Sequence, residues 1–581
     1  MIDRIKNFFL YFFQVCQFGT PKHKKNILKI TIGFIIVMLL ETLSIGMIYP
    51  VISLALADQN SVNIQNWLGI DYLNTLSSAE LLFYALSILI VIFLIKNSFM
   101  ILFIIFKSKF NEDFTANLKK KLYDDYLKQE YNDFIKTSSA EVIRNIQSST
   151  NIATRVLDSF LGIFSELIVL TGIIIFLLFL APLPTLIIIS LSVLFMLIYI
   201  FSLKKEFYLL GRERFKLEFD IISEIQQGLG SFKEINIYNV REFFINKFNV
   251  AVLKMNKNLR KTNVIAQSAR VILEQYGIFV IVILSFFVFT SLDYKSAAIP
   301  LLGSYCYAFF KLLPSMNKLI INFQEITNGK VTITQLHEEF KRLEIKSKKI
   351  LEKKDEKILN FKNSLNINNI DFEFNDKIIF KNLSLEIGVN EKIGLMGLSG
   401  AGKSSLLNLI MGFLTPTRGN IELDKSDIKN NIESIRKKIG YVSQSIYLMN
   451  DSLKNNITLR QENKDIDEAK LDEAIRASGL GDFVKNLKEG LDTVLNENAS
   501  NISGGEKQRI VIARALYYAK EILLFDEFTS SLDAKTENEI LEQVNKIKKT
   551  VIIVSHKLST LKYCNKVYII ENKGIKKIDV K

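Results

Sequence analysis

Two short stretches of this sequence gather groups that handle phosphate and activate water. In GLSGAGKS at 397–404, Gly397, Leu398, Ser399, Gly400, Ala401 and Gly402 lead into Lys403 and Ser404, with Ser405 behind. This is the spacing of a phosphate loop. Glycines admit backbone N–H groups close to phosphate oxygens, a lysine meets the β- and γ-phosphates, and a serine hydroxyl ligates Mg²⁺. In EILLFDE at 521–527, an apolar run delivers Asp526 to the metal and Glu527 to an attacking water. A carboxylate so placed polarises water for in-line attack, while Mg²⁺ and the lysine neutralise developing charge. His556 ends a further apolar run, TVIIVSH, and is read as a γ-phosphate contact; His23 and His337 are read as solvated.

The elements that must position these groups are short. Residues 392–396 form an apolar strand into the glycine loop and 405–413 continue as a helix, the strand–loop–helix order that such a loop requires. Residues 522–525 and 550–554 read as buried strands.

The rest of the chain is different in kind. Of 581 residues, 49% are hydrophobic and mean hydropathy is +0.20, an average over two unlike halves. About 20 apolar residues cross a hydrocarbon core, and six segments qualify: 27–57, 81–106, 157–180, 185–203, 271–291 and 297–325. The third and fourth are separated only by Ala181, Pro182, Leu183 and Pro184, which enforce a hairpin. Residues 58–80 contain no Lys or Arg, whereas 107–155 and 204–270 are rich in both, so the positive-inside bias puts the latter in the cytoplasm. Those two excursions extend helices out of the bilayer, with transmission elements expected near 131–140 and 235–242. Segment 63–76, with Trp67 and Tyr72, reads either as a helix in the headgroup layer or as a polar loop. The N-terminal FFLYFFQV reads as an interfacial or elbow helix rather than a signal peptide. The expected domains are 1–335 in the membrane, a charged linker at 336–357, and 358–581.

Net charge of +14 does not imply nucleic acid, because Lys is abundant throughout and the cations near the membrane half fall mainly in its cytoplasmic segments. Cys16, Cys306 and Cys564 lie far apart without metal-ligand spacing, which argues against a disulfide framework. Ionisable residues inside the spans stand out, since they are costly in hydrocarbon. Lys96 is mid-span in the second helix, Lys311 and Lys318 share a face of the sixth, and Arg270 opens the fifth. They read as a basic lining for an anionic head group, or as side chains snorkelling to the interface. Glu274 is placed to neutralise Arg270 in part, and Glu41 and Glu166 to serve packing or polar pairing.

Between the two catalytic stretches lies ISGGEKQR at 502–509, and with it the C-terminal half resembles ABC nucleotide-binding domains. The resemblance implies ATP and Mg²⁺ as cofactors. Ser503, Gly504, Gly505 and Glu506 form the signature, and Gln444 in YVSQ joins the metal site to the membrane half. SSLD ending at Asp533 is the D-loop, and His556 is the switch histidine. Phe374 falls where the family stacks an aromatic on adenine. Glu506 replaces a usual Gln, which leaves phosphate recognition by Ser503 and the backbone of Gly504 and Gly505 intact. VLNENASN at 494–501 departs from the family pattern at Glu497. In this family one subunit's signature closes over another's phosphate loop; one copy of each occurs here, which implies a homodimer. The fold expected is a membrane all-α six-helix transmembrane domain of ABC exporter type, fused to an α/β P-loop nucleotide-binding domain.

Three membrane segments, ETLSIGMIYPVISLALA, ARVILEQYGIF and FFKLLPSMNKLI, resemble bacterial lipid-linked oligosaccharide flippases of the PglK type. That resemblance implies an anionic polyprenyl-diphosphate glycan as substrate, the cytoplasmic membrane as location, and Lys96, Arg270, Lys311 and Lys318 as substrate contacts. Lys stands mostly where the family tends to Arg and loses bidentate phosphate geometry. A general exporter of drugs, peptides or another lipid is the alternative. A channel or scaffold gated by ATP is opposed by the intact Glu527 and His556.

Overall fold

The computed structural model describes residues 2–48, 51–52, 78–290, 298–351, 359–374, 376–460, 465–496, 499–518, 521–529 and 534–578. Segment 63–76, Glu497 and the SSLD stretch with Asp533 lie outside the described residues. The chain divides into two units, 1–129 with 136–347, and 130–135 with 348–581.

The first unit is helical. Its elements are α1 (Ile2–Phe18), α2 (Pro21–Gly46), α3 (Ser78–Leu127), α4 (Tyr131–Lys136, which groups with the second unit), α5 (Ser139–Arg144), α6 (Thr150–Leu180), α7 (Pro182–Gly230), α8 (Phe232–Ile237), α9 (Arg241–Thr290) and α10 (Ala298–Leu351). Among the described residues, five helices are long and apolar enough to cross a membrane: Pro21–Gly46, Glu80–Leu127, Ser139–Leu180, Pro182–Gly230 and Arg241–Thr290. The sixth expected span lies in α10, which is helical from Ala298 through Pro314 but is not among those five. Helices of 50 residues such as α3 and α9 are about 75 Å long, more than twice the hydrocarbon thickness. Leu94, Ile101, Leu102 and Ile105 point outward from α3. Such faces are stable against lipid tails, provided that the backbone bonds itself as a helix does.

The proline hairpin forms as its sequence demands. Ala181 is extended (φ −154°) and Pro182 opens α7, where its missing N–H costs nothing. Thr185 Oγ1 lies 2.9 Å from the Leu177 carbonyl and 2.7 Å from that of Ala181, reinforcing the backbone bonds from Ala181 N–H to Leu177 and from Thr185 N–H to Ala181 across the turn. Two apolar cores hold the bundle: one around Phe34, Phe114, Phe160 and Leu336, the other around Ile173, Leu273, Tyr305 and Phe309. Phe12, Val15 and Phe18 of α1 join the first core, so the N-terminal aromatic patch packs as a helix on the bundle.

Two expectations need correction. The charged stretch read as linker continues α10 as helix as far as Leu351. His23 is buried rather than solvated: its Nδ1 accepts from the Thr20 backbone N–H at 3.1 Å, closing a capping box at the start of α2.

The second unit is α/β. An antiparallel sheet has the order β2-β1-β4-β5 (β1 Ser364–Phe374, β2 Lys377–Gly388, β4 Arg418–Leu423, β5 Ser426–Asp427). A six-stranded sheet has the order β10-β9-β3-β8-β7-β6 (β3 Lys392–Gly397, β6 Ile439–Val442, β7 Ile522–Asp526, β8 Thr550–Val554, β9 Lys566–Glu571, β10 Gly574–Ile578). Strands β7 and β8 are buried at every residue, as parallel strands covered on both faces must be. Leu395 pairs with Val554, and Val554 pairs with Asp526. In this register the ends of β3, β8 and β7 lie side by side, and the loops that leave them share one edge of the sheet. In open parallel sheets ligands bind outside the carboxyl ends of the strands.

Candidate functional site: an ATP-hydrolysing centre

Gly397, Glu527 and His556 leave the sheet at that shared edge. Beyond β3 the loop takes φ +81° at Gly400 and +99° at Gly402, conformations that L side chains rarely adopt. A Cβ on Gly402 would also stand 2.6 Å from Ile379 and 2.8 Å from Phe380. Helix α11 (Lys403–Ile410) starts immediately after, so its first N–H groups and its positive dipole end face the loop. Leu398, Ser399 and Gly400 are exposed, and Ala401 and Ser405 are half-buried.

The Lys403 side chain is buried, and its Nζ donates to the carbonyls of Gly397 (2.9 Å) and Leu398 (3.1 Å). It also lies 3.0 Å from His556 Nε2 and 3.6 Å from Glu527 Oε1. His556 Nε2 is 2.8 Å from the same Glu527 oxygen. One nitrogen cannot both accept from Lys403 and donate to Glu527. Once Lys403 turns to a phosphate, Nε2 is left to carry the proton and donate.

Gln444 Nε2 donates to Glu527 Oε2 at 2.7 Å, so the carboxylate is gripped from three sides. Glu527 has φ +46°, and its N–H bonds Val554 O at 3.0 Å. A β-strand end forced into the left-handed region turns the side chain out of the sheet; such strain is typical of catalytic positions. Held this way, Glu527 can orient a water and take its proton.

Asp526 is buried, with Oδ1 3.4 Å from Ser404 Oγ. Burial pushes its carboxyl above the usual range, and the charge of Glu527 adds to this; the Ser404 hydroxyl, Lys403 and Tyr441 act the other way. A buried carboxylate beside a hydroxyl, with an amide in the next strand's loop, is an all-oxygen set suited to Mg²⁺. Ser404, Asp526 and Gln444 would hold it, and it would neutralise phosphate charge. Tyr441 is the member of this group that sequence reasoning missed, although it lies in the same YVSQ stretch as Gln444.

Phe374 ends β1, half-buried, with its ring 6.4 Å from that of Phe372. The signature begins helix α12 (Gly504–Tyr518). Ser503 Oγ donates to Glu506 Oε2 at 2.7 Å, the Ser503 N–H reaches the same oxygen at 2.7 Å, and the Glu506 N–H returns to Ser503 Oγ at 3.3 Å. This capping box changes one expectation: Glu506 does not leave Ser503 free, because it occupies the hydroxyl that a phosphate would use. Residues 130–135 group with this unit, and the Tyr131 ring lies 5.0 Å from that of Phe413, itself under the Arg436 guanidinium at 4.5 Å.

In the helical unit each cation singled out from the sequence has a carboxylate beside it. Lys96 is 2% exposed, and its Nζ is 3.3 Å from Glu41 Oε2. Lys311 lies 3.5 Å from Glu41 Oε1, Lys318 lies 2.9 Å from Glu166, and Arg270 lies 3.0 Å from Glu274. The structure joins Lys96 and Lys311 through one carboxylate, and it leaves Lys318 and Arg270 in separate pairs.

Comparison with known proteins agrees with this chemistry. Residues 380–530 match the ABC transporter family, so the second unit is an ABC transporter ATP-binding domain, which uses ATP with Mg²⁺. The whole chain has the fold of a bacterial Atm1-family ABC exporter solved with ATP bound: TM-score 0.77, 20% identity, 95% of each chain covered. Sequence relatives include an ATP-dependent lipid A-core flippase of Syntrophus aciditrophicus, 39% identical over 209 residues, 36% of this chain and 34% of that protein. Another is the alpha-hemolysin translocation ATP-binding protein HlyB of Escherichia coli O157:H7, 40% identical over 209 residues, 35% of this chain and 29% of that protein. The chain thus spans about a third of the length of the curated relatives it matches.

Proposed function

We propose that two copies of this chain form an ATP-driven exporter in a bacterial cytoplasmic membrane, and that its cargo is an anionic lipid, a polyprenyl-diphosphate-linked oligosaccharide. The observation that carries the coupled machine is the carboxylate of Glu527, poised at a strand end between Gln444, His556 and Lys403. Ser503 belongs to an exposed helix start, suited to approach the phosphate loop of a second copy. Dimerisation is further supported by α8 and its flanks, where Leu229, Phe232, Ile237 and Tyr238 are exposed at 66–76%. Such a patch on a cytoplasmic turn is costly in water and suits an ATP-binding unit of the partner. ATP closes the pair and hydrolysis reopens it, provided that ATP binds the closed state more tightly.

For the cargo, support comes from Lys311 and Lys318, whose side chains are 30% and 62% exposed at span depth. Proteoliposomes bearing a polyprenyl-diphosphate oligosaccharide should show ATP-dependent translocation. Intact hydrolysis without translocation would overturn the glycan reading while leaving the exporter standing. A second reading, export of another lipid or a peptide, is favoured by the pairing of all four cations with carboxylates. Relatives named for lipid A-core flipping and hemolysin translocation illustrate that breadth.

A further inference from the structure

Glu41 lies on α2, Lys96 on α3 and Lys311 on α10, so three different spans meet at one carboxylate. The Glu41 side chain is 11% exposed and that of Lys96 3%, whereas Lys311 keeps 30%. Lys96 is further enclosed by Phe93, whose ring centroid lies 4.3 Å from Nζ. Ser44 Oγ lies 3.4 Å from Glu41 Oε2 and brings no charge. Two ammonium groups against one carboxylate leave one positive charge over. An uncompensated charge at span depth costs several kcal/mol, so the cluster is one anion short. The opening is on the Lys311 side, where the contact is also the longer of the two, 3.5 Å against 3.3 Å.

We propose that Glu41 is the built-in counterion of a ligand site. A phosphate group reaching the exposed side of Lys311 takes its place there, and the Glu41 carboxylate withdraws onto Lys96. Lys311 is then the residue that touches the ligand. Lys96, too buried to do so, is a positioning residue that holds Glu41 away from Lys311. This rests on the anionic-cargo reading and assigns its members separate roles.

The roles make opposite predictions. The full-length protein is placed in phosphatidylcholine nanodiscs, and ATPase stimulation is titrated with a long-chain polyprenyl phosphate and separately with soluble glycerol phosphate. Glu41→Gln should lower the half-saturating concentration about tenfold, and Lys311→Gln should raise it about tenfold. Lys96→Met should also raise it, because Glu41 then pairs wholly with Lys311. The double variant Glu41→Gln/Lys96→Met, which buries no unpaired charge and keeps the test valid should a single variant fail to fold, should return it to the low value of Glu41→Gln. A purely structural pair would not show that reversal. The predicted shifts in the variants support the exchange, and whether the lipid or glycerol phosphate elicits them tells a headgroup from a free anion. A wild-type response that Glu41→Gln and the double variant leave unshifted overturns the counterion and spares the anionic cargo. No wild-type response to either phosphate overturns both.

Discussion

The two units each hold a buried lysine that shares a carboxylate with a third group, but they build the arrangement differently. In the ATP-binding unit, Lys403, Glu527 and His556 converge because three parallel strands end side by side, and the residues sit six, one and two positions past their strands. In the helical unit, Lys96, Glu41 and Lys311 converge from within three separate helices. The first arrangement is made by loops whose shape the local sequence dictates. The second depends on helix rotation and packing. A loop can be strained into position by glycine and left-handed backbone, whereas a helix offers only which face it turns to its neighbours.

The largest expected effect tests the water-activating end of the first arrangement. Glu527→Gln keeps the amide-sized shape beside Gln444 and His556 but removes the base. Steady-state phosphate release should fall by about 10²–10⁴-fold, with ATP binding retained in a filter or fluorescence assay. Near-wild-type turnover would mean that Gln444 and His556 position water unaided. Next, Gly402→Ala asks whether local backbone truly makes the site. Its Cβ would meet Ile379 and Phe380 at a φ of +99°, so thermal unfolding should show a loss of about 1–3 kcal/mol together with lost nucleotide binding.

A smaller effect probes the antiparallel sheet. Asp424 accepts from the backbone N–H groups of Lys362 (2.5 Å), Asn363 (2.9 Å) and Ser364 (3.0 Å), pinning the start of β1. Burial alone would raise its carboxyl, but the three donors outweigh that and hold it below the usual range. The depressed folded value means that this stability is present above the unfolded value near 3.9 and is lost as pH falls through the folded one. Asp424→Ala should cost about 1 kcal/mol near neutral pH, since the site is largely solvated, and the difference from wild type should shrink in strong acid.

The smallest effect concerns the signature. Glu506→Gln removes a charge beside the Ser503 hydroxyl while keeping an acceptor for the capping box. The ATP concentration for half-maximal hydrolysis should fall a few-fold, corresponding to about 0.5–1 kcal/mol. An unchanged value would show that Glu506 swings clear when a second copy closes.

The same contrast explains what was legible in the chain. Strand–loop–helix order, the proline hairpin and the long extended helices could be read because each depends on neighbours in the chain. The burial of His23 could not, since a lone histidine at a helix start gives no sign that Phe110 and Phe114 will cover it. Nor could the charged tail of α10 be seen as helix. Charged residues dominate its composition, yet Leu336, Phe340 and Leu343 recur at i, i+4 and i+7 and pack into the bundle.

Taken alone, the sequence determined that a phosphate loop, a paired acidic strand end and a signature lie behind a set of apolar spans. These are statements about local composition and spacing, and local backbone chemistry is enough to make them. Only tertiary structure decided that Glu527 is gripped by three partners, that Glu506 occupies Ser503, and that Lys96, Arg270, Lys311 and Lys318 are each answered by a carboxylate. Pairing between charges distant in the chain depends on which helix faces meet, and that is set by the packing of whole helices rather than by any residue's neighbours in sequence.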